Sequence, residues 1–403
     1  MASQDMTQFD AALKEDFLPG IRKIFSEKAV LDTYAQKNTE DVEGQYARLA
    51  IHAGPSGGIG SRGAVGATLP TPGFQLLKEQ QVAMRYHYGR IKIEEPVIQA
   101  SKTNKGAVVR ALSTEIKGMA PNLKRDLNRQ RYGTSNGVIA TCALSSNSTT
   151  INLASTTTQT QMRHFHVNMI VDVGTVASPT GVASARTVTA VSRSGKTLTL
   201  SGAAMTTATT DFVFRSGNGG DSTNQKELTG LRTIVDSTGS LFNIDPATVP
   251  DWASVEDSTS GVPTDDKFRA ALDDIDIYSG ASADFGVTDH ASHRAYANQL
   301  TAAKLYDGNQ FDMKGGYKGL AVYGPGGAIG IAADRDCPEG HAFFLTSEHY
   351  IDFVMSDYDW LERDGHVLKY VSGEPAWEAT LFTYREQGTD NRGAHAKLSA
   401  LTT

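Results

Sequence analysis

Residues 103–133 carry the longest uninterrupted helical period in this chain, and they limit what it can fold into more than any other stretch. Val108, Leu112, Ile116, Met119, Leu123 and Leu127 recur at steps of three or four, which puts all six on one stripe of a helix. A stripe of that length needs a sheet to lie on. Asn104 is placed to cap the start, and Gly133 is the small residue that helices favour just past their ends. Pro121 removes one backbone donor inside the rod and should bend it near the middle.

Before this helix, Phe9, Leu13, Phe17, Ile21 and Ile24 fall at helical spacing, with Pro19 and Gly20 splitting the segment into two short helices. The arm has one apolar side, and periodicity does not say whose core it enters. From Tyr46 the pattern turns to strand, with Leu49, Ile51 and Ala53 alternating up to a Gly-rich run over residues 54–66. On the return, Met84, Tyr86 and Tyr88 share one phase and Ile91 and Ile93 the other, so Gly89 reads as a bulge. The result is a long hairpin whose tip is too poor in side chains to form its own core.

Two enzyme motifs fall inside that tip. Gly54-Pro55-Ser56-Gly57-Gly58 fits a nucleophile elbow, and Gly58-Ile59-Gly60-Ser61-Arg62-Gly63 fits a dinucleotide fingerprint. Either needs a helix directly afterwards, to present the serine or to offer its N-terminus to a pyrophosphate. The glycines and prolines of residues 64–73 forbid one, so composition explains both matches better.

Beyond the long helix, residues 141–211 hold 26 Ser or Thr among 71 residues and only six Lys, Arg, Asp or Glu. Val167, Met169, Val171 and Val173 alternate, and residues 188–192 and 196–201 read as a hairpin, so this is a small β module. Gly195-Lys196-Thr197 resembles a P-loop ending, but Ala190 stands where its first glycine belongs, and the fragment reads as a turn. His164 and His166 read as neighbours on one strand face, with no further His or Cys close by to complete a metal site.

Residues 217–221 look like a linker. After it, Phe268, Leu272 and Ile275 mark a helix capped by Thr264, and Asp289 caps another through Tyr296 and Leu300. That cap accounts for Asp289, His290 and His293 without a metal. Short strands at 321–323 and 329–332 flank Gly324-Pro325-Gly326-Gly327, giving a compact α/β unit. Residues 342–346, 350–355, 366–372 and 377–385 then read as strands that supply the sheet for the long helix. The acidic group Asp352, Asp357, Asp359, Glu362 and Asp364 lacks the spacing of a calcium loop and reads as a solvated turn or a contact for Arg or Lys.

The bulk numbers set outer bounds. A chain of 403 residues implies two or three folded units, and a net charge of −7 argues against a broad basic face for nucleic acid. Cys142 and Cys337 are too few for a disulfide framework and read as reduced. Residues 1–10 are polar, and no run of 18 apolar residues exists, so neither a secretory signal nor a membrane span is expected and the chain reads as cytoplasmic.

The order of these parts, with the Asn-Arg-x-x-Tyr-Gly-x-x-Asn-Gly turn of residues 128–137, resembles the major capsid proteins of tailed bacteriophages, the HK97-fold family. The resemblance covers nearly the whole chain by layout. It implies an α+β fold with an N-terminal arm at 1–45, an extended hairpin (E-loop) at 46–95 and the spine helix of a peripheral domain at 96–135. An inserted Thr-rich β module would follow at 136–220, an axial domain at 221–340 and the closing strands of the peripheral domain at 341–403.

It further implies self-assembly into hexamers and pentamers of an icosahedral shell around double-stranded DNA, bound without sequence specificity, with a separate scaffold, portal and cement protein as expected partners. No enzyme activity, cofactor, metal or membrane is expected. The mature location would be the virion capsid, after assembly in the host cytoplasm. The candidate contacts between subunits are Phe9, Leu13, Phe17, Arg62, Asp357, Asp359 and Glu362. Some relatives join a hairpin lysine to a neighbour's asparagine. Residues 46–77 contain no lysine, so cross-linking is not expected here. A tail or fibre part, and a hydrolase using Ser56, are the alternatives; fibres should show internal repeats, and none is present.

Overall fold

The computed structural model describes residues 30–62, 68–96, 105–221, 223–302, 310–314, 318–362 and 367–402, with side chains of the long helix from Gly118 onward. The arm residues Phe9 to Ile24, the cap Asn104 and Asp364 of the acidic group lie outside the described residues, as do the side chains of the stripe positions Val108, Leu112 and Ile116.

The long helix spans Lys105–Arg131 and continues through Pro121. Met119, Leu123 and Leu127 pack with Ile91, Ile93, Leu381, Ala379, Trp360 and Tyr358, so the described half of the stripe does lie on a sheet. That sheet runs Gln36–Asn38, Tyr350–Trp360, Ala376–Thr389 and Lys369–Tyr370, with Arg85–Glu94 also paired to Ala376–Thr389. The last pairing is antiparallel and unbroken from Arg85↔Arg385 to Glu94↔Ala376.

Gly89 is therefore no bulge. His87, Gly89 and Ile91 all face inward while Tyr86, Tyr88 and Arg90 face outward, one phase from end to end. The glycine is there because a Cβ would stand 2.7 Å from Met119 Sδ, where the helix presses on the strand. Gly133 stands just past the helix end, as expected, with its N–H donating to Gln130 O at 2.9 Å, and it has a second role there. A Cβ on Gly230 would meet the Gly133 carbonyl oxygen at 2.2 Å, so two backbones touch where the helix ends.

A second sheet has seven strands in the order Val255–Asp257, Ala396–Leu398, Ala342–Leu345, Phe285–Thr288, Gly327–Ala333, Lys318–Gly324 and Gln310–Asp312. The helices Asp265–Ser279 and His290–Ala302 contribute Phe268, Leu272, Ile275, Tyr296 and Leu300 to one of its faces. Thr264 Oγ1 accepts from Lys267 N, and Asp289 Oδ2 from Ala291 N and Ser292 N, so both expected caps are present. Against the other face lie Val30, Leu31 and Tyr34, with Tyr34 stacked on Phe285 at 4.0 Å. A sheet buried on both faces explains why Ala342–Leu345 is apolar at every position. It also corrects the division of the chain: residues 342–345 and 396–398 close this sheet and not the one under the long helix, and residues 30–38 pack into their own chain's core.

The Thr-rich stretch forms a six-stranded sheet, Val138–Thr141, Phe212–Arg215, Ile170–Gly174, Ala183–Ser192, Thr197–Leu200 and Thr150–Asn152, and a two-stranded one, Met205–Thr207 with Ser145–Ser148. Its core is its own, built from residues such as Ile139, Ile151, Phe165, Val171, Val188, Leu198 and Val213. Entry and exit are adjacent, since Val138↔Phe214 pair and Gly220 N donates to Asn136 O at 3.2 Å. Lys196 has φ 50° in the turn between Ala183–Ser192 and Thr197–Leu200, as a hairpin turn requires. His164 and His166 share no strand: His164 caps the C-terminus of a short helix, Gln159–Arg163, because Thr158 and Gln161 form a capping box ahead of it.

Candidate subunit interface

The hairpin pairs Tyr46–Gly54 with Leu76–Ala83, from Tyr46↔Ala83 to Gly54↔Leu76. Its base does not need a neighbour. Ala47, Val82 and Met84 pack with Ile351 and Phe353, while Ala53 and Ile51 pack with Ile244, Val249 and Trp252. Gln81 N donates to Phe242 O, and Asn243 Nδ2 to Gln81 Oε1, so residues 242–252 clasp the base. The base of the hairpin is thus held by its own chain.

At the tip, Gly57, Gly58 and Gly73 come together so closely that a Cβ on Gly73 would lie 2.6 Å from Gly58 N. The approach narrows the loop and leaves its apolar side chains outside. Ile59 is 83% exposed, Leu69 69%, Phe74 84% and Leu77 66%. Such a cluster on one protruding finger marks a surface that ends up covered. Ser56 lies in this loop with no helix after it, its hydroxyl accepting from Gly58 N at 3.3 Å, so it is no nucleophile elbow. Arg62 is exposed in the same loop.

The acidic group is not a turn. Asp352, Asp357 and Asp359 lie on the strand Tyr350–Trp360, and the first two are engaged within the chain. Asp352 Oδ2 accepts from Arg131 Nη2 at 2.9 Å and Arg385 Nη1 at 3.1 Å, all three side chains being buried. Arg131 also reaches Asp32 at 2.8 Å, and Arg385 reaches Asp357 at 2.9 Å, which in turn meets Lys37 at 3.1 Å. Burial alone would raise the Asp32 carboxyl, but Arg131, Arg385 and Lys124 reverse this and hold it below the usual carboxylate range. The network pins the segment at residues 30–38, the end of the long helix and the long sheet to one another. It leaves Asp359 and Glu362 as the exposed members of the group, with Asp357 half committed.

Sequence reasoning missed the outer face of the long sheet. Tyr86, Tyr88, Phe382 and Tyr384 stand together there, with Tyr86 and Tyr384 edge to face at 5.0 Å and Tyr88 Oη donating to Tyr384 Oη at 3.2 Å. Tyr88 is 54% exposed. The signal lies in the alternation of Tyr86 and Tyr88, which continues through Gly89 where a bulge would break it.

No family model matches the chain, and no curated protein matches it. Among solved structures, the cyanophage A-1(L) capsid asymmetric unit superposes with a TM-score of 0.55 at 12% identity, over 91% of this chain and 90% of that one. The fold is that of the HK97-like capsid proteins. Two further similarities, to the holo-SrpI encapsulin complex of Synechococcus elongatus (TM-score 0.44, 9% identity, 100% of this chain and 96% of that one) and to Mycobacterium phage Adephagia (0.44, 9%, 94% and 91%), are too distant to carry an argument.

Proposed function

We propose that this chain is the major capsid subunit of a tailed bacteriophage. It assembles as hexamers and pentamers into an icosahedral shell around double-stranded DNA, within the host cytoplasm, and remains in the virion. The observation that carries this reading is the apolar hairpin tip, a finger of exposed Ile59, Leu69, Phe74 and Leu77 on a fold similar over 91% of the chain to that of a cyanophage capsid. Apolar side chains on a protrusion are stabilised only by burial against something else, and in a closed ring of identical subunits the next copy supplies it. Many modest contacts of this kind, made at once, hold a closed shell.

Arg62 beside this tip, and Asp357, Asp359 and Glu362 on the neighbour, are the charged groups of this seam, Asp352 being buried within its own chain. Phe9, Leu13 and Phe17 of the arm add apolar contacts across the same seam. The Thr-rich module is an accessory of the shell, and scaffold, portal and cement proteins are further partners. The role is structural and not enzymatic. The shell is not covalently stitched: residues 46–77, which include the tip, contain no lysine, and the basic side chain there, Arg62, carries a guanidinium in place of an amine nucleophile.

Electron microscopy of the purified protein tests the reading. Hollow shells or ring-shaped capsomers are expected, and a monodisperse monomer at all concentrations overturns it. Ser56→Ala should leave particle formation unchanged. Particles boiled in detergent should run as one band near 43 kDa, and a ladder of multimers would refute the absence of cross-links.

A further inference from the structure

Arginines converge where the spine helix, the Thr-rich module and the loop before the strand Ala342–Leu345 meet. Arg125 and Arg129 come from the helix, Arg163, Arg193 and Arg215 from the module, and Arg335 from the loop. A cavity of about 170 Å³ opens among them, lined by Arg125, Arg129, Arg215, His164 and His166, with Asp126 at its wall.

The carboxylates nearby are already committed. Asp126 accepts from Arg129 Nε at 3.2 Å and Gln130 Nε2 at 2.9 Å, Glu227 takes Arg129 Nη2, and Asp336 takes Arg163 and Asn128. Six guanidiniums thus face three engaged carboxylates, while burial raises the pKa of the fourth, Asp334. Among the described residues, Arg193 and Arg335 have no carboxylate within ion-pair distance, and both are exposed.

Donors remain unused at this place. The Nε–H of Arg163 is buried without an acceptor, and that of Arg215 makes no hydrogen bond, standing 3.3 Å from Asp126 Oδ1 as an ion pair only. Burial, then the charges of Arg335, Arg193 and Arg215, lowers the pKa of Arg125, as crowded like charges must. Burial and the nearby arginines likewise keep His164 neutral, so it presents one N–H donor and no further charge. An excess of positive charge with unspent donors around a cavity is unfavourable until an anion enters.

We propose that this cavity is a phosphate-binding site, taking one phosphate group against Arg125, Arg215 and the two histidines, with Arg193 and Arg335 supplying the surrounding field. The chemistry fits a phosphodiester of nucleic acid or a free phosphate equally. The net acidity of the chain is no objection, because such a site is local. Only the nucleic-acid source rests on the shell reading; the site itself does not.

The test uses the full chain and the double variant Arg193→Glu, Arg335→Glu, whose exposed positions leave folding intact; equal melting temperatures in chloride check this. Melting is compared in inorganic phosphate and in chloride at matched ionic strength, and a labelled short DNA duplex is titrated by anisotropy over a salt series. Phosphate stabilises any fold somewhat by exclusion, so the difference between parent and variant is what counts. The parent should gain more from phosphate than the variant. If the duplex also binds, the variant should bind it about tenfold more weakly, with a slope of log K on log salt smaller by about 2, and the source is nucleic acid. A phosphate effect lost in the variant without duplex binding supports the site with a free phosphate as its ligand. If phosphate stabilises both proteins equally, the proposal fails. It fails equally if the variant alters only association between copies, which would assign the cluster to a neighbour's carboxylates.

Discussion

Replacing Gly230 with alanine should damage this fold where the spine helix ends. The new Cβ would lie 2.2 Å from Gly133 O, 2.4 Å from Gly133 N and 2.6 Å from Gly133 C. All three atoms are backbone, so no side chain can swing away, and the segment at Leu231–Ile234 must retreat from the end of the spine helix by most of an ångström. Leu231 and Ile234 sit in the core with Tyr132 and Phe343, so that retreat loosens packing around them. Overpacking costs about 1 to 3 kcal/mol where the structure can relax, and the upper end applies where only backbone can move. Gly118→Ala is the counterpart: it lies in the spine helix, is exposed, and has nothing within 4 Å of its missing Cβ. Alanine there should add about 0.5 to 1 kcal/mol of stability. Urea midpoints of the unassembled chain should therefore move in opposite directions. A Gly230→Ala protein that unfolds at the parent's midpoint would refute the close approach, and a fall for Gly118→Ala would refute the exposed helix face.

Leu127→Ala removes a buried side chain from the helix and sheet contact and should cost about 2 to 5 kcal/mol, read from the same midpoints. Acid should destabilise through His395, whose buried Nδ1 accepts from Thr346 N at 3.3 Å while Nε2 faces Thr389 Oγ1, and whose pKa burial pushes down to about 4. The unfolded chain takes up a proton near pH 6.5 that the folded chain refuses until about pH 4, so stability is full above this window and falls as pH drops through it, by about 3 kcal/mol. His395→Gln keeps the acceptor without titrating, and its acid limb should be shallower; an identical limb defeats the assignment. Deleting residues 138–217 with a short Gly-Ser bridge should leave a soluble remainder that unfolds cooperatively by calorimetry, because the two ends already pair side by side.

The long helix was legible in sequence because an apolar stripe at steps of three and four has one physical meaning, and the caps at Thr264 and Asp289 were legible because they are local. The module was legible too, since alternating Val171 and Val173 amid threonines suits little else. What stayed hidden was non-local. Periodicity says that Ala342–Leu345 is buried, but not which sheet it joins, and its neighbour Ala396–Leu398 is too short to announce itself. Asp352 looked solvated beside other acids, yet its partner Arg131 is 221 positions away. The phase slip at Gly89 was an error of the opposite kind: a glycine that makes room for Met119 has no sequence signature distinguishing it from one that kinks a strand. The arginine cavity was invisible because its members come from the spine helix, the module and a loop, far apart in sequence.

The placement of Ala396–Leu398 between Val255–Asp257 and Ala342–Leu345 has a consequence for the order of events during synthesis. The seven-stranded sheet stays divided, with two open edges, until the ribosome has released residue 398. Until then the nascent chain lacks the strand that unites Val255–Asp257 with the rest, and the hairpin base, clasped by residues 242–252 next to that strand, has no finished platform. A chain still being made therefore holds Val255–Asp257 apart from the rest of this sheet, however far the other strands have folded.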